Sequence, residues 1–224
     1  MKRAQIIEEL AAAIAAVRLP HPTRVGIDGV DAVGKTSLAN ELVEPLEKRG
    51  RHVVRASVDG FHHPKDIRYR RGPDSAEGYF FDSFNYPAVR SELLDPLGPE
   101  GTRLFRRAAF DYRVDRPVEM PEETANADTI LLFDGVFLQR PELTGSWDIR
   151  IWVDAPFDVT VPRAVKRDGG ATGHAEMLAR YRKRYVPGQL MYFEQCGPQD
   201  AADILIDNAA LDNPRVRYRR FAPQ

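Results

Sequence analysis

Residues 24–37 read RVGIDGVDAVGKTS, in which the spacing G-x-x-x-x-G-K-T directly follows a short apolar run. Gly29 and Gly34 allow the backbone to turn so tightly that successive N–H groups point inward, and a helix that begins near Lys35 adds its positive N-terminal dipole. This spacing is typical of loops that hold nucleotide phosphates. The predicted phosphate-binding residues are Gly29, Val30, Asp31, Ala32, Val33, Gly34, Lys35, Thr36 and Ser37.

Two side chains of this loop have predicted roles. Lys35 is placed to reach the β- and γ-phosphates of a nucleotide, and the Thr36 hydroxyl is placed to bind Mg²⁺. An ordinary Gly turn before a helix is the alternative, but the strand-like run before the loop and the helical pattern after it favour the phosphate site. We therefore predict ATP and Mg²⁺ as ligands.

Length and composition limit the classes of protein that fit. A chain of 224 residues suits one domain with a substantial core. The 32 Lys and Arg residues against 33 Asp and Glu residues give no basic excess for binding nucleic acid. No apolar stretch approaches the roughly 20 residues needed to cross a bilayer, and the single cysteine, Cys196, suits a reducing compartment. We expect a soluble cytoplasmic protein without a nucleic-acid or membrane partner.

Apolar strand-like runs alternate with helical patterns along the chain, which is typical of a parallel sheet covered by helices on both faces. We predict an α/β, three-layer P-loop fold with a five-stranded parallel sheet, as one domain over 1–224. A small β-flap is expected at 98–118 and a helical lid at 163–188, and the alternating arginines near 215–220 indicate an exposed edge strand. The five predicted parallel strands are 24–29, 52–58, 129–133, 149–153 and 203–207.

Two carboxylates follow predicted strands. Asp59 ends the second strand and Asp134 ends the third, and each is followed by glycine. Because parallel sheets bind ligands beyond the carboxyl ends of their strands, both side chains are expected beside the phosphate loop. Asp59 is placed to accept or orient the proton of an attacking hydroxyl, whereas an ordinary Asp-Gly turn is the alternative at both positions. The candidate metal ligands are Thr36, Asp134 and Asp59.

Cationic and aromatic side chains supply the other candidates. Arg163 and Arg167 lie one turn apart on a predicted helix, so both share a face that reaches one anion, and pairing with Asp168 on a solvated face is the alternative. The region 61–124 is rich in Pro, Gly, Arg and aromatic residues, and we predict substrate recognition there. The candidate catalytic residues are Asp59, Lys35, Arg163 and Arg167, and the candidate substrate residues are Phe61, His62, Tyr79, Phe110 and Tyr112.

The order and spacing of these motifs resemble the uridine kinase and phosphoribulokinase superfamily over roughly 25–208. The matching elements are the phosphate loop, VDGF at 58–61, DG at 134–135, VD at 153–154 with the two helical arginines, and ADILI at 202–206.

The resemblance implies roles for the candidate residues. Asp59 would be the general base, and Thr36 and Asp134 would bind Mg²⁺. Arg163 and Arg167 would steady the triphosphate. The flap that carries FDY at 110–112 would help to cover the acceptor. The resemblance is compatible with a homo-oligomer, because relatives form dimers or tetramers.

Departures from the family pattern affect the substrate. FDY at 110–112 runs into Arg113, where uridine and cytidine kinases have a nearby His that reads the pyrimidine. Asp134 replaces the usual Glu of the family, and GGATGH at 169–174 replaces an arginine-rich lid loop. DGFHHP at 59–64 is also similar to the Asp-Gly-Phe segment of pantothenate kinases and of some sugar kinase relatives.

The identity of the acceptor, the choice between ATP and GTP, the oligomeric state and any substrate contact of the basic run 180–184 stay open at this point. A pantothenate or sugar kinase of the same superfamily is one alternative. A nucleotide-dependent regulatory ATPase is an alternative of another class, although the chain has no Asn-Lys-x-Asp motif that reads guanine. The sequence predicts ATP-dependent phosphoryl transfer to a hydroxyl of a small metabolite, with a nucleoside as the favoured acceptor.

Overall fold

The computed structural model describes residues 2–220, apart from the side chains of residues 171 and 172. Within that range the strands are β1 (Thr23–Gly29), β2 (Val53–Ser57), β3 (Leu104–Phe105), β4 (Phe110–Asp111), β5 (Arg116–Pro117), β6 (Glu123–Thr124), β7 (Ile130–Gly135), β8 (Ile149–Asp154), β9 (Ile204–Asp207) and β10 (Arg215–Tyr218). The α-helices are α1 (Arg3–Ala16), α2 (Lys35–Glu41), α3 (Val43–Glu47), α4 (Lys65–Arg68), α5 (Ala76–Asp82), α6 (Tyr86–Val89), α7 (Phe157–Thr172), α8 (His174–Arg180), α9 (Val186–Cys196) and α10 (Pro198–Ala201).

The main sheet has the strand order β10-β9-β8-β1-β7-β2. Strands β2, β7, β1, β8 and β9 run parallel to one another, and every residue of β1 and β7 is buried because these two strands lie in the middle of the sheet. Central parallel strands covered on both faces need such continuous apolar sequence. The predicted α/β fold with five parallel strands is confirmed.

The sheet also has a sixth strand, which lies beyond the five parallel strands at the segment where the sequence predicts an exposed edge strand. β10 pairs antiparallel with β9, and its residues alternate between exposed and partly buried. Exposed arginines in this alternation suit the outer edge of a sheet, since they discourage pairing with another chain. The arginine-rich segment is therefore an edge strand of the main sheet.

Helix α1 covers part of the sheet through its apolar side chains. Ile6, Leu10 and Ile14 recur at helical spacing and are almost completely buried in the same core as Val25 and Ile27 of β1. Among the described residues, no helix combines the length and the apolar character that a membrane crossing requires.

The flap consists of two short antiparallel ladders. β4 pairs with β5, and β3 pairs with β6, so the paired segments extend to Thr124. Asp115 has a positive φ of 55° in the turn between β4 and β5. The Arg107 side chain, which follows β3, donates to Glu123 of β6 over 2.6 Å and so stabilises the β3–β6 pair. The division of the chain into a domain with a flap at 98–118 and a lid at 163–188 stays a prediction.

Candidate active site

The phosphate loop joins the end of β1 to the start of α2. A Cβ atom at Gly29 would lie 2.3 Å from the Val153 carbonyl oxygen, and Gly34 has a φ of +101°. Both positions therefore need glycine. The Lys35 ammonium donates to the Val30 carbonyl over 2.7 Å, so the lysine side chain folds back across the loop.

Asp134 is held by side chains from two other elements. Thr36 Oγ1 donates to Asp134 Oδ2 over 2.6 Å, and the Arg55 guanidinium donates to Asp134 Oδ1 over 2.7 Å. Arg55 also donates to the Leu132 carbonyl over 2.6 Å, which fixes the guanidinium along the sheet. The carboxylate at the end of β7 thus has both oxygens oriented, and it lies against the first turn of α2.

Negative charge is concentrated around the loop lysine. Burial lowers the pKa of Lys35, while nearby carboxylates oppose that shift by favouring its charged form. In order of decreasing effect on the pKa of Lys35, these carboxylates are Asp31, Asp28, Asp134 and Asp59. These carboxylates place the Lys35 ammonium in a negatively charged environment.

Asp59 lies in the short 3₁₀ turn Val58–Phe61 that directly follows β2. Its backbone N–H donates to Ser57 Oγ over 3.3 Å. The residue is exposed, and it lines the cavity described below. The protein around the carboxylate removes part of its solvation and raises the pKa of Asp59, and the negative charge of Asp134 raises it further. Lys35 opposes both effects without cancelling them. Asp59 is therefore a stronger base than an ordinary aspartate.

These groups open into one cavity of about 360 Å³. The phosphate-loop side is formed by Lys35, Thr36, Asp59 and Asp134, and the other walls carry aromatic side chains from the region 61–124 and from the lid. These aromatic wall residues are His62, Tyr79, Phe84, Tyr112, Tyr181 and Tyr185. A charged end and an aromatic body are the features of a pocket that binds a phosphate group beside a planar or apolar molecule.

Comparison with known proteins finds sequence relatives that are named as uridine or uridine-cytidine kinases. The chain is 25% identical over 170 residues to uridine-cytidine kinase B of Dictyostelium discoideum, covering 75% of this chain and 68% of that protein. It is 23% identical over 221 residues to the uridine kinase of Yersinia enterocolitica, covering 88% of this chain and 94% of the relative. No family model matches the chain.

Solved structures share the fold. A possible uridine kinase from Bacillus stearothermophilus superimposes with a TM-score of 0.72 at 22% identity, covering 90% of this chain and 97% of that one. A D-glycerate 3-kinase from Cryptococcus neoformans superimposes with a TM-score of 0.59 at 14% identity, covering 96% and 97% of the two chains. The chain is a phosphotransferase of the P-loop kinase type, and it is similar in sequence to uridine kinases. It is an enzyme that phosphorylates a small metabolite.

The P-loop kinase brings together most of the residues predicted for its site. Lys35, Thr36, Asp59 and Asp134 line the cavity, as do three of the five candidate substrate residues. Arg167 also lines the cavity. Its guanidinium pairs with Asp168 over 2.6 Å, which is the pairing that the alternative prediction gave.

Three candidates lie elsewhere. Phe61 is fully buried in the core, 6.3 Å from the ring of Phe133, because the 3₁₀ turn directs it inward. Phe110 is buried in the flap and lines a neighbouring cavity of about 290 Å³. Arg163 donates to the Ala209 carbonyl over 2.6 Å and to the Asn208 carbonyl over 3.2 Å, so it holds the chain after β9 and does not line the cavity.

His62 has a defined protonation state at the cavity wall. Its ring lies between Phe84 and Tyr112, with centroid distances of 4.6 and 4.7 Å. Nδ1 is 3.0 Å from the Asp59 carbonyl, which accepts only, so Nδ1 carries the proton. Burial lowers the pKa of His62 to about 4. The imidazole is therefore neutral at physiological pH.

Sequence reasoning missed several residues of the site. Arg55 orients Asp134 from a neighbouring strand. From α9, Gln189 contacts the phosphate loop and Tyr192 contacts the end of β1. The partners of Gln189 and Tyr192 are more than 150 positions away in sequence, so no local pattern indicates these contacts. Arg184 is the most buried arginine of the basic run 180–184. Its guanidinium donates to the Ser75 carbonyl over 2.9 Å, and the residue does not line the cavity.

The residues present fit a magnesium site of the kind that is completed by phosphate. Thr36 Oγ1 and the Asp134 carboxylate are adjacent hard oxygen donors, and Asp59 faces the same cavity. Within residues 2–220, no group of three or more His, Cys, Asp or Glu side chains is arranged to hold a metal without further ligands. Mg²⁺ at phosphotransfer sites uses one or two protein oxygens together with phosphate and water, which this arrangement matches.

Proposed function

We propose that this kinase transfers the γ-phosphoryl group of ATP to a hydroxyl group of a nucleoside, with Mg²⁺ bound to the nucleotide. The observation that carries the proposal is the convergence of Asp59, Lys35 and the Thr36–Asp134 pair at one end of an aromatic-walled cavity. The sequence relatives named as uridine and uridine-cytidine kinases support a nucleoside as acceptor.

The phosphate loop would supply binding and charge neutralisation. Backbone N–H groups of the loop and the start of α2 would hold the phosphates, and Lys35 would leave the Val30 carbonyl to contact them. Thr36 and Asp134 would hold Mg²⁺, which reduces the charge repulsion between the phosphate oxygens and the incoming hydroxyl. Arg167 would add positive charge from the lid side of the cavity.

Asp59 would act on the acceptor. A carboxylate at the end of β2 that faces the phosphate loop can orient the acceptor hydroxyl toward the γ-phosphate and take its proton as the new bond forms. Partial loss of solvation beside the surrounding protein and the charge of Asp134 raise the pKa of Asp59, so its affinity for that proton is greater than that of an ordinary aspartate. Positioning and electrostatics would supply most of the rate acceleration.

The aromatic wall would recognise the body of the acceptor. His62, Tyr79 and Tyr112 line the cavity with apolar surface and a few polar atoms, which suits a nucleobase or a sugar ring. Arg113 follows Tyr112 in the flap, and its guanidinium lies 5.7 Å from the Tyr112 ring centroid, so the flap of this chain differs chemically from one that uses histidine. We therefore propose no preference of this kinase for pyrimidine nucleosides.

The experiment that tests the proposal measures ADP formation from Mg-ATP with the purified full chain. Acceptors would include the common ribonucleosides, pantothenate, D-glycerate and simple sugars, each compared with a blank without acceptor. Stimulation by a nucleoside supports the proposal, and stimulation only by pantothenate or a sugar transfers the assignment to those acceptors. Slow hydrolysis that no acceptor stimulates contradicts the proposal and favours the regulatory ATPase. The homo-oligomer and the cytoplasmic location stay predictions.

A further inference from the structure

Asp31 places a carboxylate inside the loop that binds anionic phosphates. The side chain lines the main cavity together with Lys35 and Asp59. A negative charge at this point repels a triphosphate and therefore weakens nucleotide binding. Direct contact with the nucleotide phosphates is therefore not the role that the position of Asp31 favours.

The orientation of Asp31 is fixed by two buried side chains. Tyr79 OH donates to Asp31 Oδ2 over 3.0 Å, and Gln189 Nε2 donates to the same oxygen over 3.3 Å. The backbone N–H of Asp31 donates to Gln189 Oε1 over 2.8 Å, so the glutamine holds both the backbone and the side chain. Tyr79 and Gln189 are 7% and 2% exposed, which leaves them little freedom to move.

The second carboxylate oxygen of Asp31 is available. Within residues 2–220, Oδ1 accepts no hydrogen bond, and it is not among the buried polar atoms that lack a partner. It is therefore accessible from the cavity that the residue lines. A carboxylate oxygen held in one orientation, with a lone pair directed at a substrate cavity, is suited to accept a hydrogen bond from a bound molecule.

We propose that Asp31 is a specificity-determining residue that accepts a hydrogen bond from a second hydroxyl group of the acceptor. This inference rests on the proposed function and deepens it, because it defines the acceptor as a polyhydroxylated molecule such as a riboside. Asp59 would take the hydroxyl that becomes phosphorylated, and Asp31 would take another hydroxyl of the same sugar across the cavity. An acceptor that places its own carboxylate near Asp31 is disfavoured by repulsion between like charges.

The test combines a change in the enzyme with a change in the acceptor. Wild type and Asp31→Asn are compared with the ribonucleoside that wild type phosphorylates and with its 2′-deoxy and 3′-deoxy analogues. A hydrogen bond to a charged group accounts for a loss of roughly 10- to 100-fold in kcat/KM when either partner is removed. The kcat/KM of wild type should fall by this factor when one deoxy analogue replaces the ribonucleoside. The kcat/KM of Asp31→Asn with the ribonucleoside should already be lower by the same factor, and it should fall little further with that analogue.

A second measurement separates recognition from support of the loop. Calorimetric titration of Asp31→Asn with Mg-ADP should give an affinity equal to or tighter than that of wild type, since a repulsive charge has been removed. Glu47→Gln, which removes an equally negative but exposed charge on α3, is the matched control and should behave as wild type in both assays.

Two results overturn the inference while leaving the kinase assignment intact. One is a loss in Asp31→Asn that is equal for the ribonucleoside and for both deoxy analogues. The other is weaker Mg-ADP binding by Asp31→Asn, which would indicate that the carboxylate only braces the loop. If wild type phosphorylates no hydroxyl acceptor at all, the proposed function fails, and the inference fails with it.

Discussion

Replacement of Asp28 by asparagine should change how the stability of the protein depends on pH. Asp28 is fully buried at the end of β1, where Oδ1 accepts from the Gly29 N–H over 2.7 Å and Oδ2 accepts from the Leu138 N–H over 3.1 Å and from the Tyr192 hydroxyl. Burial raises the pKa of Asp28 from 3.8 to about 7, although these donors and Lys35 oppose the shift. The folded protein therefore favours the protonated carboxyl more than the unfolded chain does.

The magnitude follows from that pKa. Because the folded pKa lies above the unfolded one, the contribution of Asp28 to stability is complete below pH 3.8 and is lost as the pH rises to about 7. Each unit of pKa difference corresponds to about 1.4 kcal/mol. Between pH 5 and pH 7 the wild-type protein should thus lose roughly 2 kcal/mol of unfolding free energy through this group, since the carboxyl is only half ionised in the folded protein at pH 7.

Asparagine cannot ionise, so this loss is absent from Asp28→Asn. Its amide N–H₂ must face at least one of the donors that surround Asp28, and this leaves one buried donor unpaired at a cost of about 1–3 kcal/mol at every pH. The difference in unfolding free energy between wild type and variant should therefore shift by roughly 2 kcal/mol in favour of the variant from pH 5 to pH 7, and should change little more at pH 8.

Urea denaturation at pH 5, 6, 7 and 8 measures this difference, with the fluorescence of the largely buried Trp147 and Trp152 as the signal. Asp66→Asn, at an exposed position, serves as the control for loss of one negative charge. A difference between wild type and Asp28→Asn that stays constant over the whole range would refute the reasoning, since Asp28 would then ionise at an ordinary pKa in the folded protein.

Three further predictions concern the site. Arg167→Ala should lower kcat/KM at least about tenfold more than Arg163→Ala, because only Arg167 lines the cavity, and steady-state kinetics of both variants compare them directly. Gly29→Ala should abolish Mg-ADP binding in calorimetry, since its Cβ would lie 2.3 Å from the Val153 carbonyl oxygen, and wild-type affinity would contradict this. The profile of kcat/KM against pH should fall on the acid side with an apparent pKa above 3.8, because the pKa of Asp59 is raised, and this limb should be absent from the residual activity of Asp59→Asn.

The parts of the molecule that sequence reasoning predicted are those with strong local signals. The phosphate loop has fixed spacing, and β1 and β7 are buried on both faces, so each is recognisable from its own residues. The meeting of Asp59 and Asp134 follows from a general property of parallel sheets, which bring the carboxyl ends of strands to one edge.

The remaining parts depend on orientation and on distant contacts. Phe61 and His62 are neighbours in sequence, but only His62 lines the cavity. Neither residue type predicts the direction in which the 3₁₀ turn places its side chain. Arg163 and Arg167 share a helix face, yet the position of α7 against the chain after β9 gives Arg163 two backbone carbonyls and leaves Arg167 at the cavity. The flap strands are two residues long, which is too short for a periodic pattern.

The most direct test of the central claim is a comparison of wild type with Asp59→Asn in two assays on the same preparations. Mg-ADP affinity is measured by calorimetry, and acceptor-dependent ADP formation is measured with the acceptor that stimulates wild type most. The account predicts that Asp59→Asn binds Mg-ADP as wild type does and loses at least about 100-fold in acceptor-dependent turnover. Turnover equal to that of wild type would remove Asp59 from phosphoryl transfer and contradict the account.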